Sequence, residues 1–289
     1  MDGFAFWRND FAADRFGLSL MNESVKRRSM GVLEKQRLWG WATVASFSVT
    51  AILLLVFRAN PQWDTAITSW FFVAQACETA EPSWRVCGTF PLVQSAFWDG
   101  LRNIGMTTPR AVMVLTFLAL ISAFVSSAKP DRGRIQVSGV GLISLFLGPL
   151  LITNWILKEF WGRARPFQTT EFGGLREFSL PGTIVDECAR NCSFVSGEAA
   201  AAFWLLWLVP LLPAAWRVGG GALLLVFAIF VAGLRVAFGR HFFSDVTIGA
   251  TLSVTCICFA YWYAATPLAQ RTTDAFLNWG QRMAAPLHR

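Results

Sequence analysis

Three short stretches of this chain carry residue types that suit a phosphate group. The first is "KEFWGRARP", in which Lys158 and Arg165 are separated by six residues and Pro166 closes the segment. Arg165 offers a planar fork to two phosphate oxygens and Lys158 a compact point charge, although either one alone could simply anchor a helix end by snorkelling. The second is "SFVSGEAA", where Ser196 and Gly197 precede an apolar run. The free backbone N–H groups of a helix start can cradle an anion. The third is "RVAFGRHFFSD", with Arg235, His241 six positions later and Asp245 four after that. On a helix, His241 and Asp245 would share a face, so the carboxylate could hold the imidazole Nδ1–H and leave Nε2 as nucleophile or base. The chain has 2 histidines, and the other, His288, lies next to the C-terminus, so no second imidazole is expected at this site.

Glu198, which follows Gly197, has two readings. It could serve as a general acid and base, or it could be a carboxylate that the helix dipole favours by about 0.3–1 kcal/mol. A capping box does not account for it, because the third position after Ser196 is Ala199.

Membrane helices must bring these stretches together. Of 289 residues 54% are hydrophobic and only 15% charged, more apolar than a soluble surface tolerates. Six uncharged stretches, 38–57, 111–128, 135–157, 199–216, 218–234 and 246–270, can each span a bilayer of roughly 30 Å. They are continuously apolar and lack the period-two alternation of a barrel strand. The expectation is an all-α polytopic membrane protein with six transmembrane helices. Alternating direction then sends the end of the third span, the start of the fourth, the end of the fifth and the start of the sixth to one face. Those points carry Lys158, Glu198, Arg235 and Asp245, and ionisable groups gathered there suggest a site.

Lys26, Arg27, Arg28, Lys35 and Arg37 precede the first span, and Lys129, Arg132 and Arg134 fill the 129–134 loop. The positive-inside rule puts both in the cytoplasm, and six spans return Arg271, Arg282 and Arg289 there as well. The expected division is a cytoplasmic arm over 1–37, whose aromatics in "DGFAFWRNDF" could lie on the membrane surface, a six-helix domain over 38–270 with outer loops 58–110 and 158–198, and a cytoplasmic tail over 271–289. The first span is longer than a signal-peptide core and is followed by no small-x-small cleavage site, so it reads as an anchor. The net charge of +7 fits this topology and anionic headgroups. The basic residues flank spans and form no stripe beside stacking aromatics, so no nucleic-acid partner is expected. In the outer loops, "DTAITSWFFVAQ" and "SAFWDGLRNIG" suggest short interfacial helices. Cys77 with Cys87, and Cys188 with Cys192, could bridge in an oxidising compartment, whereas Cys256 and Cys258 read as small apolar residues of the sixth span.

Taken together, the three stretches resemble the signature of the type 2 phosphatidic acid phosphatase superfamily: Lys-x6-Arg-Pro, then Pro-Ser-Gly-His, then Ser-Arg-x5-His-x3-Asp. Lys158, Arg165 and Pro166 match the first element, Ser196 and Gly197 half of the second, and Arg235, His241 and Asp245 the third. The likeness covers roughly residues 40–265. Val195, Glu198 and Leu234 stand where the pattern has proline, histidine and serine. The resemblance implies that His241 is a nucleophile forming a phosphohistidine, with Asp245 as its partner. It implies that Lys158, Arg165, Ser196, Gly197 and Arg235 bind the phosphate, and that no metal or cofactor is needed. In the family the second-motif histidine protonates the leaving oxygen, so Glu198 is either a working acid and base or the mark of a disabled site. The implied setting is the periplasmic face of a bacterial inner membrane, with a phosphorylated lipid as substrate. The loop "CARNCSFVSGEAA" and the long outer segment resemble lipid A phosphatases, while undecaprenyl diphosphate and phosphatidylglycerophosphate stay open as substrates. Phosphoryl transfer to another lipid or sugar hydroxyl, and a lipid-phosphate-binding scaffold without turnover, are the competing functions.

Overall fold

The apolar stretches fold as helices whose ends, rather than whose charges, mark the true boundaries. The computed structural model describes residues 7–77, 85–125 and 131–284, with side chains described over 33–77, 85–123 and 131–278. Lys129, His288 and Arg289 lie outside the described residues, and the side chains of Lys26, Arg27, Arg28 and Arg282 lie outside the described side chains. We name the elements α1 (Trp7–Ala59), α2 (Gln62–Ser69), β1 (Val73–Gln75), β2 (Cys87–Thr89), α3 (Ala96–Val125), α4 (Arg132–Phe160), α5 (Gly197–Leu211), α6 (Arg217–Ala237), α7 (Phe243–Ala264) and α8 (Pro267–Ala284). The protein is all-α and polytopic apart from one small hairpin.

Among the described residues, five helical stretches are long and apolar enough to cross a membrane: Leu33–Ala59, Ala96–Ala123, Arg132–Phe160, Ala214–Ala237 and Phe243–Ala264. The expected fourth span, 199–216, is shorter than read. Its α5 has 8 α-helical residues followed by 7 in a 3-10 helix, a length of about 26 Å. Pro210 and Pro213 end it, because proline lacks the donor that the next turn needs. The second span starts earlier than read. "SAFWDGLRNIG" is no separate interfacial helix but the opening of α3, since Asp99 and Arg102 pair along its surface at 3.6 Å rather than breaking it. The sixth span stops at Ala264 instead of 270, and Pro267 opens α8, which Arg132 ties back to α4 through Gln270 at 2.6 Å and through Asp274. At the other end the α1 backbone runs through position 37 without a break.

The second half of α4, Phe146–Leu157, winds as a π-helix around Pro149. Proline cannot donate to the preceding turn, and the widened turn lets Asn154 reach the Pro149 carbonyl at 2.7 Å. Small residues let the helices approach closely, as expected where lipid supplies no hydrophobic drive between them. Ala199, Ala200 and Ala202 of α5 are buried against α6 and α7, beside Ala228, Ala232 and Val246. Large apolar residues such as Trp41, Phe47, Phe117, Trp155 and Val226 face outward instead.

"DTAITSWFFVAQ" divides into α2 and the antiparallel hairpin β1–β2, in which Val73 stands opposite Thr89 and Gln75 opposite Cys87. A side chain at Gly88 would lie 2.4 Å from the Val73 carbonyl oxygen, so only glycine fits. Phe72, Phe90 and Phe172 cluster at 5.3–5.8 Å and pack this hairpin onto Phe242, just before α7. The structure bonds Cys77 to Cys87 and Cys188 to Cys192, and leaves Cys256 and Cys258 free and buried in α7. Denatured without reductant, the protein should therefore take up maleimide at 2 of its 6 cysteines, and at all 6 after reduction. Uptake at four or more before reduction would refute the bridges.

Candidate active site

A buried guanidinium organises the site. Arg163 donates to Asp245 Oδ1 at 2.6 Å, to Asp64 Oδ2 at 2.8 Å, to Ser244 Oγ at 2.9 Å and to the Ser179 carbonyl at 3.1 Å. Its remaining faces meet the rings of Phe242 and Phe178, centred 4.5 and 5.4 Å away. Ser244 adds two bonds to Asp64, from its N–H at 2.8 Å and its hydroxyl at 2.6 Å. Burial works against the charge on Arg163, but Asp245 and Asp64 more than offset it and raise its pKa. All three ionised groups are essentially sealed from solvent. Three elements thus meet at one point: α2 through Asp64, the segment after α4 through Arg163, and the start of α7 through Ser244 and Asp245.

The arrangement expected for His241 and Asp245 is not the one observed. His241 precedes α7 rather than lying on it, and Asp245 turns back to accept from the Phe242 N–H at 2.9 Å, capping the helix start. The carboxylate also accepts from Ser193 Oγ at 2.5 Å, while His241 Nδ1 is 4.0 Å from it. Nδ1 instead lies 2.8 Å from the Ser193 carbonyl oxygen. A carbonyl only accepts, so Nδ1 carries the hydrogen and the neutral ring keeps its lone pair on Nε2. Asp245 therefore acts on the imidazole through Ser193. Burial above all, then the charges of Arg235, Lys158 and Arg165, hold the His241 pKa well below its ordinary 6.5, against a smaller opposing effect of the Ser193 carbonyl. The backbone fixes the ring's position. Arg240 and His241 both donate to the Arg235 carbonyl, at 3.0 and 3.2 Å, around Gly239 at φ 61°, where a side chain would lie 2.4 Å from Phe90.

Around His241 stand the expected cations. Lys158 closes the π-helical half of α4 within electrostatic reach of Arg165, Arg235 and Glu198. Arg165 is steered by Asn191, which takes its guanidinium on the backbone carbonyl at 2.7 Å and on Oδ1 at 3.0 Å. Asn191 belongs to the loop closed by the Cys188–Cys192 disulfide, and that loop is sewn to the end of α4 by the Cys192 N–H to the Lys158 carbonyl at 3.1 Å and the Ser193 N–H to the Arg163 carbonyl at 2.9 Å. Glu198 Oε1 accepts from Arg102 at 3.1 Å and faces Arg235 at 3.3 Å.

Ser196 and Gly197 are placed differently from each other. The Ser196 N–H is taken by the Asp245 carbonyl at 3.1 Å and its hydroxyl caps α5 through Ala199, so the expected backbone cradle reduces to the helix start at Gly197. Gly197 lets Asn154 approach closely, since a side chain there would lie 2.3 Å from Asn154 Oδ1. The first motif, the second motif and the third thus converge with all eight expected residues in one cluster. Among the described residues no group of three or more histidine, cysteine or carboxylate side chains could hold a metal.

Residues 139–268 match the PAP2 superfamily. The chain is 37% identical over 224 residues to the lipid A 4'-phosphatase of Rhizobium leguminosarum, covering 77% of this chain and 95% of that one. It is 38% identical over 224 residues to the lipid A 4'-phosphatase of Rhizobium etli, covering 77% and 86%. The chain belongs to the PAP2 superfamily. It is a membrane-embedded lipid phosphatase of that family, a phosphomonoester hydrolase acting on lipid phosphates. A third relative, the lipid A 4'-phosphatase of Francisella tularensis subsp. novicida, is 38% identical over 156 residues, 52% of this chain and 64% of its own. No solved structure matches the chain.

Reading the sequence missed Arg163, Asp64, Ser193 and Arg102. Arg163 was visible inside "KEFWGRARP" but sits among the spacer positions of the PAP2 motif, and its partner Asp64 lies 99 residues away. Asp64 and Arg102 both precede the matched segment 139–268. A cavity of about 300 Å³ opens beside the cluster between α3, α4 and α5, with Lys158 and Glu198 at its polar end and Met106, Met113, Leu145 and Leu150 along its apolar wall.

Arg163→Met should lower stability in detergent by about 3–5 kcal/mol, because it strands two buried carboxylates. A loss under about 1 kcal/mol would remove the triad from its structural role. In a His288→Gln protein labelled with 15N-histidine, the single imidazole should give the neutral Nδ1–H tautomer at pH 6.5. A cationic ring, or an Nε2–H tautomer, would contradict the Ser193 contact.

Proposed function

We propose that this chain hydrolyses a phosphomonoester of a lipid A-type lipid, through a phosphohistidine on His241, at the periplasmic face of a bacterial inner membrane. The observation that carries the reading is the contact from His241 Nδ1 to the Ser193 carbonyl, which leaves the lone pair on Nε2, in a ring that Lys158, Arg165 and Arg235 reach electrostatically. The names of the two Rhizobium relatives, each sharing 77% of this chain, support lipid A as the lipid and its 4' position as the scissile phosphate. The cavity beside Lys158 and Glu198, with Met106, Met113, Leu145 and Leu150 as well as Arg110 and Asn154 in its lining, gives part of one chain of such a lipid an apolar wall. The basic flanks of the first span and of the 129–134 loop support cytoplasmic termini, an arm over 1–37, a six-span unit over 38–270 and a tail over 271–289.

In the first step Lys158, Arg165, Arg235 and the start of α5 hold the phosphate oxygens. Nε2 attacks phosphorus, the P–O bond to the lipid breaks, and the leaving oxygen takes a proton from Glu198. The step requires Glu198 to hold that proton while the lipid phosphate is bound. The Ser193 carbonyl supports the positive phosphoimidazole through Nδ1–H. In the second step Glu198 takes a proton from water as its oxygen attacks phosphorus. The P–N bond then breaks, returning neutral His241 and releasing inorganic phosphate. The cations stabilise the charge that develops in both steps.

His241→Ala should abolish release of inorganic phosphate from lipid A while the protein stays folded in the membrane. Acid-labile, base-stable radiolabel from 32P-lipid A should be trapped on wild type and not on the variant. Wild-type-like turnover in His241→Ala would end the proposal.

A further inference from the structure

The two oxygens of the Glu198 carboxylate are treated very differently. Oε1 takes both guanidinium groups, Arg102 at 3.1 Å and Arg235 at 3.3 Å. Oε2 is buried and, among the described residues, has no hydrogen-bond partner. Arg102 comes from α3, outside the segment that matches the PAP2 superfamily, and Asp99 one turn before it holds the same guanidinium at 3.6 Å. Glu198 stands at the polar end of the cavity beside Lys158, where the bond between phosphate and lipid would lie.

We infer that Arg102 is the positioning residue of the acid: it grips Glu198 by Oε1 so that Oε2 carries the proton given to the lipid's leaving oxygen. This inference rests on the reading of Glu198 as general acid and base. Arg235 cannot do the same work throughout the reaction, because an arriving phosphate competes for it. Once Arg235 turns to phosphate oxygens, Arg102 is the cation that still holds Oε1. A planar guanidinium braced by Asp99 fixes the carboxylate's direction more firmly than a freely rotating ammonium would. The proton balance is that of the proposed reaction: Oε2 loses its proton as the P–O bond to the lipid breaks, and recovers one from water as the P–N bond is cleaved.

A competing account makes Arg102 a strut between α3 and α5, or one more phosphate ligand. Those roles do not depend on the leaving group, whereas positioning an acid does. The test compares the purified full-length wild type, Glu198→Gln, Arg102→Ala, Arg102→Lys and the Arg102→Ala/Glu198→Gln pair by single-turnover release of the leaving group from lipid A and from p-nitrophenyl phosphate, whose leaving oxygen needs no proton; hydrolysis of the phosphohistidine, in which Glu198 is the base for either substrate, follows the step that is read. On lipid A, Glu198→Gln should lose about 10²–10⁴-fold in this first-step rate, and Arg102→Ala at least about tenfold. On the aryl phosphate both should lose less than about threefold, and the paired variant should match Glu198→Gln alone on lipid A to within about threefold, since Arg102 acts through the carboxylate. Arg102→Lys should fold with the cation retained and show the same leaving-group selectivity at smaller amplitude, which keeps the test decisive if Arg102→Ala does not fold. Equal losses on the two substrates for the Arg102 variants, with Glu198→Gln still selective, would overturn the role of Arg102 and leave Glu198 as the acid. Equal losses for Glu198→Gln would overturn both.

Discussion

The site depends on one buried charge being shared. A guanidinium sealed from solvent is stable only when carboxylates and hydrogen bonds surround it, and removing a partner from such a group costs about 3–5 kcal/mol. Arg163 meets that condition by drawing Asp64 and Asp245 to within 2.8 Å of itself. Each carboxylate then has work elsewhere. Asp245 caps α7 at Phe242 and holds Ser193, and Ser193 in turn faces the imidazole. His241 is thus placed through two intermediaries, Asp245 and Ser193, from the buried charge of Arg163.

The helical, membrane-embedded fold was legible because apolar length is a property of the chain alone. Boundaries were less so. Charge is a poor span limit: Asp99 and Arg102 lie on α3 and do not interrupt it, Pro210 and Pro213 end α5 before the charge pattern does, and α7 stops at Ala264, before Pro267 opens α8. The convergence of the three motifs was legible because their residue types suit one chemistry and their spacing is local. The missing residues share a different property: Arg163 with Asp64 and Arg102 with Glu198 are pairs separated by 99 and 96 residues, so no window of sequence contains both members. Ser193 escaped for another reason, since it acts through a backbone carbonyl that every residue has.

The role first given to Asp245 shows how a spacing can mislead. Four residues on a helix place two side chains on one face, but His241 stands outside α7, and an acidic residue in a first turn is drawn to the free N–H groups of that turn. The local attraction took the carboxylate away from the imidazole, and a carbonyl from the α4–α5 loop replaced it. The contacts differ from those that the spacing suggests, and Nε2 still keeps its lone pair.

Two of the side chains that support this site come from before residue 139, one from α2 and one from α3, while the groups they steady lie within 139–268. The matched segment is therefore not a transplantable cassette. A chimera that joined it to the leading half of another protein would keep every motif residue and still lose the counter-charge of Arg163 and the grip on Glu198, unless the foreign half supplied both. Crossover points that preserve function should fall before α2, so that Asp64, Arg102 and the motifs are inherited as one block.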